Sequence, residues 1–269
     1  MKSTTILFLA LMLILSGGLI AQTDSVAPSP STMVTLQTEK ATSFENNIIK
    51  LNVTALFAKN FTFQYERIIK KYLSAAIAVR FMPNGSIPYK NFVYNQFGDG
   101  DPQAQETIDN LKINDFAITP EVRFYVGKKG FGQGFYIAPT YRYAKFNVSN
   151  IEYTYTDEND EDQSILMAGK LSSNYGGFVL GAQWLFGKHI TLDWWIFGPL
   201  FGVENSDFSG NSNYKLTAED KAQIEENFND LNIPGTSVEV SFPDDYSVDV
   251  QMHGPLYGVA FGLAVGFRF

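Results

Sequence analysis

The sequence contains no cysteine. Disulfides, thiolate metal sites and a lipidated cysteine anchor are thereby excluded. Positive charge is in the minority: 20 Lys and Arg against 28 Asp and Glu give a net charge of −8. Setting aside residues 1–21, whose only charge is Lys2, makes it −9. An acidic chain lacks the clustered positive charge that nucleic-acid binding needs. Histidine is scarce as well, with only His189 and His253. Long apolar runs are missing but for one, Ile6 to Leu15, and nothing after it approaches a membrane-spanning helix.

That single run reads as an export signal. Lys2 supplies a weak positive region, Ile6–Leu15 the apolar core, and Ser16, Gly17 and Gly18 lead to a cleavage site after Ala21. The run is too short for a comfortable spanning helix. Residues 22–45, rich in Ser, Thr and Pro and without periodicity, are expected to be a flexible leader.

Aromatics are abundant, with 23 Phe and 14 Tyr, too many for a disordered chain. From Asn46 onward a period-2 alternation appears, breaks and returns eight times. The runs are 46–57, 60–69, 72–81, 115–126, 135–146, 173–186, 190–200 and 256–269. Strict alternation means two chemically distinct faces on each strand. In the last run Tyr257, Val259, Phe261, Leu263, Val265, Phe267 and Phe269 alternate with Gly258, Ala260, Gly262, Ala264, Gly266 and Arg268. Connections after the second, fourth and sixth runs are short; those after the third, fifth and seventh are long. Residues 46–269 are therefore expected to form an all-β, eight-stranded, antiparallel up-and-down transmembrane β-barrel with long extracellular loops.

A soluble eight-stranded barrel would share the period and the strand count. The last run decides between them. Its non-apolar face is nearly bare Gly and Ala, which suits a crowded lumen and not a solvated exterior; the opposite face is continuous large apolar surface. Lipid satisfies that face, and closure satisfies every backbone hydrogen bond inside hydrocarbon. Pro120, Pro139 and Pro199 fall within strands, where proline removes a ladder donor, so local bulges are expected there or shifted boundaries.

Four segments carry a resemblance: Asn47-Ile48-Ile49-Lys50-Leu51-Asn52, Gln64-Tyr65-Glu66-Arg67, Pro120-Glu121-Val122-Arg123-Phe124-Tyr125 and Gly134-Phe135-Tyr136-Ile137-Ala138-Pro139. They resemble landmarks of an uncharacterised, domain-of-unknown-function family of small outer-membrane β-barrels of Gram-negative bacteria. The resemblance covers the first five strands and excludes the acidic loop and the long final loop. It implies fold and location and carries no catalytic residue. Phe269, with Phe261, Leu263, Val265 and Phe267 before it, also resembles the terminal signal read by the barrel-assembly machinery. The partners so implied are outer-membrane lipid and that machinery.

The polar face includes Lys50, Glu66, Arg80, Glu121, Arg123, Arg142, Asp193 and Arg268. An eight-stranded barrel is just wide enough inside for side chains to fill. Opposite charges there must pair, because an isolated buried charge is very costly. An ion-pair network plugging the lumen is the expectation; a polar path for ions or small solutes is the alternative.

Outside the strands, Asp157–Asp162 is a dense acidic run. It lacks the Gly and distant Glu of an EF-hand loop, so a solvated, self-repelling loop is expected rather than a calcium site. Thr217 is placed to cap a helix over 218–231 whose Ala222, Ile224, Phe228 and Leu231 form an apolar stripe for the barrel rim. A lipid hydrolase would need His, Ser and an acid to converge, and His253 with Ser247 and Asp249 is the one local option. No cofactor, metal or catalytic motif stands out, and any extracellular ligand of the long loops is unidentified. The sequence thus reads as a non-enzymatic structural or surface-interaction barrel, ahead of a narrow pore and of a lipid-modifying enzyme.

Overall fold

The computed structural model describes residues 45–97, 102–157, 161–231 and 233–269. The export signal, the leader up to residue 44 and positions 158–160 of the acidic run lie outside the described residues.

Antiparallel strands follow one another around a closed ring: β1 (Asn47–Asn52), β2 (Phe61–Lys70), β3 (Leu73–Ser86), β4 (Lys112–Val126), β5 (Gly134–Thr156), β6 (Asp162–Phe186) and β7 (Ile190–Ser212). A short β8 (Ser237–Ser241) precedes β9 (Ser247–Arg268), and β9 pairs with both β7 and β1 to close the ring. Eight strands form the wall. The ninth, β8, pairs only with β9, from Ser237 opposite His253 to Ser241 opposite Asp249. The closing seam is short, from Ile48 opposite Arg268 to Asn52 opposite Ala264. It ends where the Asn47 N–H donates to the Phe269 carbonyl at 3.0 Å and the Phe269 N–H to the Asn47 carbonyl at 2.9 Å.

Alternation sorts the side chains as the sequence pattern requires. On β9 Tyr257, Val259, Phe261, Val265 and Phe267 point out and are exposed, while Ala260, Ala264 and Arg268 point in and are buried. Phe61, Phe63 and Tyr65 on β2, Phe116, Val122 and Phe124 on β4, and Phe135, Ile137 and Tyr141 on β5 continue that outer apolar surface.

The first wall element departs from the sequence pattern. Alternation suggests a strand through Phe57, but β1 stops at Asn52 and Val53–Phe57 form a short helix, α1. Local side-chain chemistry explains the switch: the Asn52 side chain accepts the Ala55 N–H at 3.0 Å and the Thr54 hydroxyl at 2.7 Å. Asparagine favours this N-cap role over a strand interior.

At the other end four strands run far past their expected limits. β5, β6 and β7 reach Thr156, Asp162 and Ser212, and β9 begins at Ser247, so much of what the sequence suggests as loop is wall. The polarity of the alternation inverts there. Val148, Ile151, Ile165, Met167, Phe208, Val248, Val250 and Met252 point inward and are buried, whereas Asn205, Asp207, Asp249 and Gln251 point out. The inversion falls near Val203 on β7 and Pro255 on β9. It marks the edge of the apolar belt, since below it the outside is greasy and above it polar.

The prolines behave differently from one another. Register is unbroken across Pro120, opposite Ile77, and across Pro139, opposite Phe178. Near Pro199 a bulge does occur: Trp195 lies opposite Gly262 but Gly198 opposite Ala260, and the extra residue leaves both Ile196 and Phe197 exposed on the outside.

Helices α2 (Lys90–Phe97) and α3 (Pro102–Asn110) connect β3 to β4 at the end opposite the short turns. Met82, Ile87, Val93, Ile108, Leu111 and Ile113 form an apolar cluster there. Helix α4 (Ala218–Asn229) begins at a capping box in which the Asp220 N–H donates to Thr217 and the Thr217 N–H to Asp220. Its Ile224 and Phe228 are buried, and the Phe228 ring stacks on Tyr153 of β5 at 5.1 Å, so the stripe packs on the extended wall.

Candidate functional site: the lumen

Near the short-turn end, Lys50, Glu66, Glu121, Arg123 and Asp193 converge from β1, β2, β4 and β7. Lys50 Nζ donates to Glu66 Oε2 at 2.5 Å, to Asp193 Oδ2 at 2.6 Å and to Gln183 Oε1, using all three of its protons. Arg123 donates from Nε to Glu121 Oε1 at 2.7 Å, from Nη1 to Asp193 Oδ2 at 2.6 Å and Glu66 Oε2 at 3.2 Å, and from Nη2 to Gln64 Oε1 at 2.9 Å. Its guanidinium carbon also sits 4.5 Å from the centre of the Tyr136 ring. Lys50, Glu66, Arg123 and Asp193 are essentially without solvent contact.

Burial at this depth requires every lone pair and proton to be matched. Residues that the sequence pattern did not single out complete the match. Tyr125 donates to Glu66 Oε1 at 2.7 Å, Tyr136 to Asp193 Oδ1 at 2.8 Å, and Gln64 to Glu121 Oε1 at 2.7 Å. Ser74 donates to Glu66 as well, and Thr140 to Glu121 at 3.3 Å. Each of these residues shares the inward face with its charged neighbours, and that parity is the signal by which they are found.

Glycine makes the crowding possible. A Cβ on Gly181 would overlap the Tyr136 ring, and one on Gly266 would meet the Lys50 stem and the Thr191 hydroxyl. The β4–β5 turn closes the end of the network. There Gly132, at φ +75°, offers its carbonyl to Gln183 Nε2 at 2.7 Å, and the Phe131 carbonyl accepts from Arg268 Nη1 at 3.1 Å. Arg268 therefore lies at this mouth, with its Nε on the Glu45 carbonyl at 2.7 Å, and outside the ionic cluster.

Arg80 and Arg142 form a second, separate level. Arg80 pairs with Asp115, Nε to Oδ2 at 2.9 Å, and stacks near Phe146. Arg142 donates from Nε to the Thr119 hydroxyl at 3.1 Å and has no ion pair with a carboxylate of the described residues. At this level, between the ionic layer and the apolar cluster, lies a cavity of about 210 Å³, whose lining includes Arg80, Asp115, Glu121, Arg142 and Trp195.

The histidines lie at opposite ends. His189 contacts Glu45 and the Arg268 carbonyl, while His253 contacts Asn205 Oδ1 at 2.6 Å rather than Ser247 or Asp249. In the acidic run Asp157 accepts from the Glu161 N–H at 3.0 Å and from Gln163 at 3.1 Å. Among the described residues no group of three His, Asp or Glu is placed to hold a metal ion.

A ring of eight antiparallel strands, short turns at one end, an apolar outer belt and a side-chain-filled ionic lumen define a β-barrel of the outer-membrane type. The chain belongs to the family described as "Protein of unknown function (DUF3575)", whose model matches residues 31–242. The match extends beyond the five strands that carry the resemblance, taking in the acidic run and most of the long final connection. No curated protein matches the sequence. Among solved structures, a major outer membrane protein from Thermus thermophilus aligns with 14% identity and a TM-score of 0.39, over 83% of this chain and 99% of that one. The outer membrane protease OmpT from Escherichia coli aligns with 7% identity and a TM-score of 0.36, over 83% and 93%. Acinetobacter baumannii CarO2 aligns with 11% identity and a TM-score of 0.31, over 83% and 97%.

Proposed function

We propose that this protein is a non-conducting barrel of the outer membrane that serves a structural or surface-interaction role. The observation that carries this reading is the double stopper: the ionic layer around Lys50 and Arg123 fills the short-turn half, and the Met82–Ile113 cluster fills the far end. A path for ions would have to break several charge-assisted bonds at once. The belt faces lipid, and the extended walls of β5, β6, β7 and β9 stand outside it as the surface offered to other molecules. The outward row Phe261, Leu263, Val265, Phe267 and Phe269 is the segment offered to the barrel-assembly machinery. No chemistry is assigned to the ionic layer, where Glu66, Glu121 and Asp193 are held in ion pairs and hydrogen bonds.

Planar-bilayer recording tests the reading. The wild-type protein is expected to show no single-channel steps in 1 M KCl. Discrete, voltage-stable openings from the folded wild type would favour the narrow pore and overturn the proposal.

A further inference from the structure

The wall has a gap beside the lumen cavity. On its β1 side, β9 pairs with β1 only from Ala264 to Arg268 and with β8 only from Asp249 to His253. Between these stretches the edge meets no strand of the described residues, because α1 replaces the upper half of β1. Leu263 N–H, on that edge, donates to the Thr54 side chain at 3.2 Å. Phe269 and Leu263 both direct their N–H to the β1 side, so by strand parity Phe261, Val259 and Tyr257 do so too. Unpaired backbone at membrane depth is tolerated where it lines a cavity. Here it does: the cavity lining includes inward-facing Ala260 together with outward-facing Val259 and Phe261. The cavity therefore reaches the unpaired edge of β9.

The inner end of this space holds a cation with spare donors. Among the described residues Arg142 uses one of its five N–H groups, on Thr119. Trp195 also lines the cavity, with its unsatisfied indole N–H buried out of reach of a water-sized molecule. The lining carboxylates are already engaged, Asp115 by Arg80 and Glu121 by Arg123 and Gln64. Arg142 balances the odd carboxylate of the ionic layer only from a distance, so its edge stays open to an anion. The outer end is apolar, with Val259, Phe261 and, on α1, Leu56 and Phe57 exposed beside it.

We propose that the cavity is a binding site for a single-chain amphiphile with a carboxylate head, entered sideways from the membrane. The carboxylate accepts from the Arg142 guanidinium, and the alkyl chain leaves between α1 and β9 past Val259 and Phe261. A cavity of about 210 Å³ exceeds by roughly an order of magnitude the space that one water needs. It holds a head and the first part of a chain, and the rest lies along the belt.

The test uses the full-length mature protein in a neutral maltoside detergent, with dodecanoate as probe and Trp fluorescence and calorimetry as readouts. Saturable binding near one equivalent is expected, with dodecanol and acetate each at least tenfold weaker. Arg142→Gln should weaken dodecanoate at least tenfold and leave dodecanol unchanged. Ala260→Trp, which fills the passage, should abolish binding while Ala260→Ser retains it; the heat-modified gel shift identifies which variants are folded. Non-saturable uptake, equal binding of acetate, or folded Arg142→Gln and Ala260→Trp proteins that bind as the wild type does would each overturn the proposal. Because conductance is not measured, failure here leaves the non-conducting reading standing.

Discussion

Arg123 Nη1 and Asp193 Oδ2 lie 2.6 Å apart inside the lumen, although 70 positions separate them in the chain. The contact joins β4 to β7 across the barrel, between strands that are not neighbours in the sheet. It fixes the spacing of opposite walls in a way that the hydrogen-bond ladder, acting only between adjacent strands, does not.

Removing one member of this network should be more harmful than removing several. Arg123→Ala leaves Glu66, Glu121 and Asp193 facing Lys50 alone, and breaking a buried pair costs about 3–5 kcal/mol. The unfolding midpoint on heat-modifiability gels should drop markedly. Arg123→Met combined with Glu121→Gln and Asp193→Asn should recover most of the loss. An Arg123→Ala barrel as heat-resistant as the wild type would show that the layer is not a stabilising unit.

Gly181 and Tyr136 should behave as a coupled pair. Gly181→Ala sets a methyl group against the Tyr136 ring, whose hydroxyl holds Asp193 at 2.8 Å. Overpacking of this kind costs about 1–3 kcal/mol. In the Tyr136→Ala background the same substitution should cost less, leaving the 2.8 Å approach of the new Cβ to the Trp194 carbonyl. A double-mutant cycle by urea unfolding in detergent measures the difference, and strict additivity would refute the contact.

Loop anchoring should fail in acid. Asp245 accepts from Lys221 Nζ at 2.8 Å and lies 3.1 Å from Lys215 Nζ, and these two cations hold its carboxyl below the usual range, Lys221 foremost. A depressed carboxyl contributes stability above its ordinary unfolded value of about 4, and the contribution is lost as pH falls through the lower folded value. Protease access to 213–246 should therefore rise below about pH 4 and stay flat between pH 6 and 8. Asp245→Asn should remove the acid step.

The barrel is legible in the sequence because alternation reports faces directly, and the bare Gly and Ala of β9 give away which face is crowded. The charged members of the lumen can be named for the same reason. Which of them meet cannot, because strand register and tilt decide that: Arg80 and Arg142 share the parity of Arg123 yet sit one level away. The extended walls read as loops because their polarity runs opposite to the belt's. Inward Val248, Val250 and Met252 with outward Asp249 and Gln251 look like a soluble sheet, and a search for greasy exteriors passes over them. Helix α1 escapes the pattern because Val53, Ala55 and Phe57 keep perfect period 2, and a single side chain, Asn52, overrides it.

The unequal heights of the walls give the molecule a front and a back. Around β6, with its 25 residues, the chain has a contour of roughly 80 Å, while the apolar band of such barrels is roughly 25 Å tall. On the β1 side the wall ends in one turn of helix. Anything arriving from water meets a tall screen around most of the circumference; anything drifting within the bilayer finds a low doorway on one side. Substances carried in the aqueous phase and those dissolved in lipid would thus reach this protein from different directions.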